Sequence, residues 1–367
     1  MAAHRKARRI QTSSRDSGFQ LGWSHGYMHG AGQAILHSLP PEAYPLRNLR
    51  VLLIPQGFEG IDNGVITALR TLVTETIVGN QQDIQGLAAM HRPDLVLVIN
   101  GLHTFPPDHP MQIQAVRAMG IKTAVWFADD PYFTDFSGAI AVQYDVVFTH
   151  ELSCIPYYTS LGCAQVHYLP LGVNPAVYRP QHVGAEYRSD VCFIGNGFTN
   201  RTALFDQMAP YLSRIHTVIA GSQWEKMRNY KLLQKRIRLE WIPTEESVKY
   251  YSGAKIVINL HRAADDEIYN RNRLKIPAHS INPRTYEISA CGTLQLTDIR
   301  QDLSQFYTPG HDIVTFSNAA ELTDKIQYYL NHEDERRTIA LRGLKRTYAE
   351  HTFHKRLNQM LQMMYSS

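Results

Sequence analysis

Cysteine is scarce in this sequence, four among 367 residues. Cys154, Cys163, Cys192 and Cys291 sit among apolar or small neighbours, with no CxxC pair and no Cys/His ligand spacing. That argues against a disulfide framework or a zinc site and leaves reduced core thiols. Charge is thin as well: charged residues make up 19% of the chain and the formal net charge is +4. No long Lys/Arg stripe runs through the body of the chain, so no nucleic-acid partner is expected. Apolar runs are short, none reaching the roughly 18 residues of a membrane-spanning helix. Residues 1–18 are basic and Ser-rich, but the segment after them carries His, Gly, Trp and Gln in place of the apolar stretch of a signal peptide. The expected location is the cytoplasm.

What is present is core-forming material. The chain is 44% hydrophobic, with 23 Gly and 18 Pro, which rules out a disordered tail, a collagen or a long coiled coil. At roughly 150 residues per domain the length suggests about two domains with a cleft between them. Residues 1–18 have too little apolar content to pack and read as a flexible basic arm. Over 19–47, Gly22, Gly26 and Gly30 recur every four residues, which stacks them on one face of a helix. Each glycine costs such a helix about 1 kcal/mol relative to Ala, so a packing partner for the stripe is expected. A surface loop rich in Gly and His is the other reading.

From residue 48 the pattern changes to buried strands alternating with helices. Strands are expected at 51–55, 95–100 (LVLVIN), 122–127, 145–149 and 165–169, with helices over 65–73, 83–90 and 111–119 and another beginning near Glu151. Residues 170–180 (PLGVNPAVYRP) break both periodicities and read as an interdomain linker. A second series follows, with strands at 190–194, 216–220, 237–241, 255–260, 293–297 and 313–316 and helices over 202–212, 226–235, 244–252 and 283–290. Continuous apolar strands joined through helices imply parallel sheets covered on both faces. The expectation is an α/β chain of two Rossmann-like, doubly wound domains, 48–172 and 173–345, facing a central cleft, with a C-terminal helix over 346–367.

Ligands of such sheets sit beyond the carboxyl ends of the strands. There the first half places the turn Gln56-Gly57-Phe58-Glu59-Gly60, then His103 and His150, each an imidazole able to act as base or donor or to stand solvated. The 122–127 strand ends in Asp129-Asp130-Pro131. Two adjacent acids repel, which poises one to exchange a proton with a sugar hydroxyl; alternatively one caps the next turn and the other is solvated. No further carboxylates lie nearby at ligand spacing, so no metal site is read.

In the second half, Gly195-Asn196-Gly197 and Arg201 bracket a strand end and a helix start, where amides, helix dipole and guanidinium suit a diphosphate. The Gly-Lys-Ser/Thr ending of a P-loop and the third glycine of a dinucleotide fingerprint are both missing. His261 follows the 255–260 strand and joins the nucleotide-binding candidates. The densest pattern is 281–293 (INPRTYEISACGT): Asn282 begins it, and Arg284 and Glu287, three apart, share one helical face. A carboxylate there suits a ribose diol and an arginine a phosphate; an intrahelical ion pair is the alternative.

The run NPRTYEISACGTLQLTD closely resembles the C-terminal motif of the CgeB-like spore-maturation glycosyltransferases, and FADDPY, YDVVFTH and YLPLGVNPAVYRP resemble their earlier segments in the same order. The resemblance covers residue 49 to the C-terminus. It implies a GT-B architecture and a nucleotide-sugar donor, a UDP-sugar by family weight, held by the second domain as substrate with no cofactor. It further implies a glycan or glycoconjugate acceptor of the spore surface, approached from the first domain. By position, Glu287 resembles the carboxylate that holds the donor ribose, and Arg201 sits where a basic residue approaches the diphosphate. His279 and Asn196 depart from the family pattern, which leaves open both retention against inversion and a noncatalytic spore-coat assembly role. Metal-independent transfer is expected, with Asp129, Asp130 and His103 serving the acceptor. Possible partners are spore-coat proteins or a second copy.

Overall fold

Val51, Leu52, Leu53 and Ile54 are fully buried, as a strand covered on both faces must be. They belong to β1 (Arg47–Ile54), around which the first sheet of the computed structural model is built. The structure describes residues 2–41 and 43–365; within the first helix, side chains are described from residue 15 onward except at positions 17, 20, 21 and 25. The first sheet continues with β2 (Val73–Val78), β3 (Leu95–Ile99), β4 (Lys122–Phe127), β5 (Val146–Thr149) and β6 (Val166–Tyr168), in spatial order β2-β1-β3-β4-β5-β6. The second holds β7 (Ser189–Ile194), β8 (Thr217–Ala220), β9 (Ile237–Arg238), β10 (Ala254–Asn259), β11 (Leu294–Asp298) and β12 (Val314–Phe316), in order β12-β11-β10-β7-β8-β9.

Every pairing in both sheets is parallel. Strand order reverses between β1 and β3 in one sheet and between β7 and β10 in the other, and each reversal opens a crevice at the strands' carboxyl ends. The α/β architecture with two doubly wound sheets is as the sequence indicated. Edge strand β2 was not anticipated; its residues are mostly solvent-facing, so it lacks the buried run that marks its neighbours. Ile237 opens β9, which stops at Arg238, short of the 237–241 extended segment. The 226–235 helix is reduced to Tyr230–Leu233 between short 3-10 turns.

The N-terminal helix runs Ala2–Ser38, so residues 2–18, expected as an arm, continue it. Its glycine face does not pack: a Cβ at Gly22, Gly26 or Gly30 would meet nothing within 4 Å. The helix docks through a different face, where Trp23 and Tyr27 stack with centroids 5.4 Å apart and the Arg337 guanidinium lies 5.3 and 5.2 Å from their rings. Close approach occurs instead at Gly32, against Pro180 and Leu344.

The C-terminal segment forms two helices, Glu333–Glu350 and Phe353–Tyr365. The second crosses back: Phe353, Leu357, Met360, Leu361 and Met364 are buried with Val51, Leu97 and Trp126 of the first sheet. Among the described residues no helix is long and apolar enough to cross a membrane.

Candidate active site in the interdomain cleft

The helix Pro283–Ala290 is set by its first residues. Asn282 caps it, its side-chain oxygen accepting from the Thr285 amide at 3.0 Å, and Pro283 takes the first turn, where no amide partner is needed. Asn282 is held in turn by Asn259 at the end of β10, through a 3.0 Å bond from its amide nitrogen. Behind this cap sits His261. Its Nδ1 is 2.6 Å from Asp298 Oδ1, and its Nε2 accepts from the Asn282 backbone amide at 2.9 Å. The accepting Nε2 places the ring proton on Nδ1, and burial lowers the imidazole pKa against the pull of Asp298. Arg300 adds a 3.2 Å ion pair to Asp298, and these partners outweigh burial and hold the carboxyl at about 2.

From this anchored helix, Arg284 and Glu287 project into a cavity of about 620 Å³ between the two sheets. Arg201, from the helix Thr199–Leu212, lines the same cavity. Its guanidinium donates to the carbonyls of Leu260 and Asn196 at 3.0 Å each, and burial together with the Arg284 charge brings its pKa down to about 9. Burial also opposes the charge of Arg284, but Tyr251 and Glu287 prevail and raise its pKa. Arg284 Nε has no hydrogen-bond partner. For Glu287, burial dominates and raises the pKa despite Arg284 and the Tyr178 hydroxyl. Two guanidiniums and a carboxylate therefore converge on one space, beside the turn after β7. Gly221, at φ 136°, lets the turn after β8 press against that turn; a Cβ there would collide with the Gly195 carbonyl.

The opposing wall comes from the first domain. Asp129 lines the cavity, and its Oδ2 accepts from Asn100 Nδ2 at 2.9 Å and lies 2.7 Å from His103 Nε2. Asn100 and His103 adopt left-handed backbone, φ 62° and 58°, a conformation that costs free energy in residues with a Cβ and gathers at functional sites. Asp130, next in sequence, turns inward instead. It is buried, with Thr149 Oγ1 at 2.6 Å and Tyr158 OH at 2.7 Å from its oxygens, and burial pushes its carboxyl up to about 7.

Of the residues singled out from the sequence, the cavity gathers Gly57, Phe58, Glu59 and Gly60 of the turn after β1, Asp129, His150, Gly195, Asn196, Arg201, Asn282, Arg284 and Glu287. Asn196 spends its amide oxygen on the Ser222 amide and hydroxyl, and Asn282 spends its side chain on the helix cap. Four others lie outside the lining. His103 reaches it through Asp129, Asp130 points into the core, His261 stands behind the Asn282 cap, and Gly197 packs against the Gln223 backbone. The sequence reading missed Arg262, Tyr178 and Trp241, all of which line the cavity. Trp241 is 70% exposed, and the sequence carries no sign of that exposure.

The N-domain also grips the second domain across the cleft. Glu151 accepts from the backbone amides of His279 and Ser280 at 3.0 and 3.1 Å, and Arg262 stacks 4.7 Å from the Tyr132 ring and 4.5 Å from the Phe198 ring. The grip places both walls within reach of one ligand. Among the described residues no cluster of His, Cys, Asp and Glu has the arrangement of a metal site.

Two facing, doubly wound sheets with a charged cleft between their carboxyl ends make up a GT-B-type fold. A family model described as glycosyl transferase-like matches residues 201–362. The chain is similar to the spore protein CgeB of Bacillus subtilis (strain 168), 28% identical over 316 residues that cover 83% of this chain and 95% of that protein. Solved structures agree on the fold. Sucrose-phosphate synthase from Thermosynechococcus elongatus superposes with a TM-score of 0.58 at 13% identity, over 86% of this chain and 98% of that one. Anabaena HepE in complex with UDP gives 0.59 at 11% identity, over 87% and 100%.

Proposed function

We propose that this chain transfers a sugar from a nucleotide-diphosphate donor, a UDP-sugar in the first instance, to a hydroxyl of a glycan or glycoconjugate acceptor of the spore surface, without a metal ion. The observation that carries the reading is the convergence of Arg201, Arg284 and Glu287 on one interdomain cavity. Support for the uridine donor comes from the fold shared with HepE, whose structure contains UDP.

In this reading Glu287 accepts hydrogen bonds from the ribose hydroxyls, and Trp241 stacks on the base at the cavity rim. As the glycosidic C–O bond breaks, negative charge grows on the leaving diphosphate; Arg201 and Arg284 stabilise it in place of a cation. The acceptor hydroxyl enters from the first domain beside Asp129. In an inverting reaction the Asp129–His103 pair takes its proton as the new bond forms, and in a retaining one the pair only orients it. Arg262 and Glu151 keep the walls together and water out.

Calorimetry against UDP, GDP, dTDP and CDP tests the donor, with release of nucleotide from the matching sugar nucleotides as the activity readout. UDP is expected to bind most tightly. Glu287→Gln is expected to weaken it about tenfold, and Arg284→Met about a hundredfold, as for lost charge-assisted bonds. If none of the four nucleotides binds, the reading fails. If UDP binds but no sugar is ever released, the chain is a binding protein on an enzyme's fold.

A further inference from the structure

Lys and Arg are spread thinly through the chain except over 226–238, which holds six of the 37 and none of the 33 Asp and Glu. Without that short stretch the net charge of the chain would be negative. It lies at the free edge of the second sheet and is built from the helical turn Tyr230–Leu233, the 3-10 turn Gln234–Arg236 and β9. Met227 and Leu233 anchor it, buried in the core of that sheet with Tyr230 and Ile237 packed beside them. What remains faces solvent. Leu232 is 52% exposed and Leu239, just past the stretch, 46%, while Arg228, Lys231 and Lys235 are exposed and Arg236 half-buried. Two of the six cations are occupied: Arg238 pairs with Glu240 and Glu246, and Lys226 donates to Gln223 and Tyr269. Among the described residues the other four, Arg228, Lys231, Lys235 and Arg236, make no ion pair. Lys231 and Lys235 stand four apart through consecutive helical turns, which sets like charges one above the other at a cost to the fold. Leu232, three before Lys235, lies next to them.

Unpaired cations among exposed leucines suit a partner that is anionic and apolar at once. A nucleic acid or a polyanionic glycan supplies the charge but nothing for Leu232 and Leu239 to enter. A bilayer of anionic lipids supplies both, headgroups for the Lys and Arg and acyl chains for the leucines. We infer that this edge of the second domain docks on an anionic membrane surface, with Arg228, Lys231, Lys235 and Arg236 at the lipid phosphates and Leu232 and Leu239 dipping below them. The contact is peripheral, since no helix among the described residues is long and apolar enough to cross. Three residues beyond β9 the chain reaches Trp241 on the rim of the interdomain cavity, so docking holds the mouth of the cavity near the headgroups. The inference stands apart from the nucleotide-sugar reading above.

The test is co-sedimentation of the full chain with vesicles of phosphatidylcholine alone and of phosphatidylcholine mixed with phosphatidylglycerol. Partitioning onto the mixed vesicles is expected to be about a hundredfold stronger and to weaken as salt is raised. Lys231→Gln combined with Lys235→Gln removes two of the four free charges and should lower it about thirtyfold. Leu232→Ser combined with Leu239→Ser leaves every charge in place and should lower it about tenfold. Both double variants should melt with the parent, because all four side chains are exposed. The inference is overturned if the mixed vesicles bind no better than phosphatidylcholine alone. It is equally overturned if the lysine pair is neutralised without loss, which would assign the attraction to other basic residues such as Arg5, Lys6, Arg8 and Arg9. Indifference of the leucine pair would overturn it too, marking a site for soluble polyanions such as heparin. Failure of UDP to bind would remove the donor reading and leave the vesicle result untouched.

Discussion

Asp129 and Asp130 share a side chain and a strand end but not an environment. Asp130 is closed in by Thr149 and Tyr158, and its carboxyl is raised from 3.8 to about 7. Between these values the folded chain keeps a proton that the unfolded chain has released, so Asp130 makes stability fall as pH rises from about 4 to 7. Asp130→Asn removes that titration while leaving an oxygen for one hydroxyl and an amide for the other. The variant is therefore expected to gain Tm over the parent at pH 8 and to lose most of that gain at pH 4.5, as followed by thermal melts in matched ionic strength. A gain independent of pH would show that the carboxyl is already ionised in the fold. Strand alternation indicates that one acid of the pair faces inward, but its phase at the end of β4 depends on where the strand stops. Arg284 and Glu287 were legible because spacing of three on a short helix needs no tertiary information. Tyr178, Trp241 and Arg262 were not: Tyr178 comes from the interdomain linker, and Arg262 and Trp241 follow strand ends but carry no spacing or partner that marks them apart from other loop residues.

At the scale of elements, buried strands were readable almost to the residue. Lys122–Phe127 and Pro283–Ala290 have the bounds that their apolar run and their Asn-Pro start indicate. The N-terminal helix is the instructive contrast. Its glycine spacing suggested a packed groove, yet spacing says only that the residues share a face, not that anything lies opposite. Because a methyl added at Gly22, Gly26 or Gly30 would find nothing within 4 Å, replacing each by Ala should raise helical content and stabilise the fold by about 0.5–1 kcal/mol per site. Gly253→Ala should do the opposite, because its Cβ would strike the Tyr187 carbonyl, at a cost of about 1–3 kcal/mol. Circular dichroism with urea melts distinguishes the two. Loss of stability in the N-terminal variants would mean that this face is covered by something, a second copy included.

On the scale of the whole molecule, the two domains are joined by two chain crossings that lie side by side. Val173 donates its amide to the His351 carbonyl, and Phe353 donates to the Val173 carbonyl, each at 3.0 Å. Gly172 is pressed against the Thr352–Phe353 backbone so closely that a Cβ would sit 2.9 Å from it. The second crossing delivers the Phe353–Tyr365 helix to the first sheet, where the Phe353 ring meets Trp126 edge to face at 6.1 Å. Nothing in the sequence between residues 300 and 367 advertises this return, because an amphipathic helix specifies that it has a core to cover but not which core. The first domain thus depends on residues nearly three hundred positions beyond its first strand. Leu357, fully buried in that core, is the point to press. Leu357→Ala is expected to cost about 2–5 kcal/mol through lost contacts and the cavity left behind, and the loss should fall unevenly. Hydrogen exchange should show protection dropping in β1, β3 and β4, while β7, β10 and β11, and with them the pocket of Arg284 and Glu287, keep theirs. Calorimetry at low temperature should then find UDP still bound by the variant. An equal loss of protection in both sheets would instead show that the paired crossings make the two domains unfold as one unit.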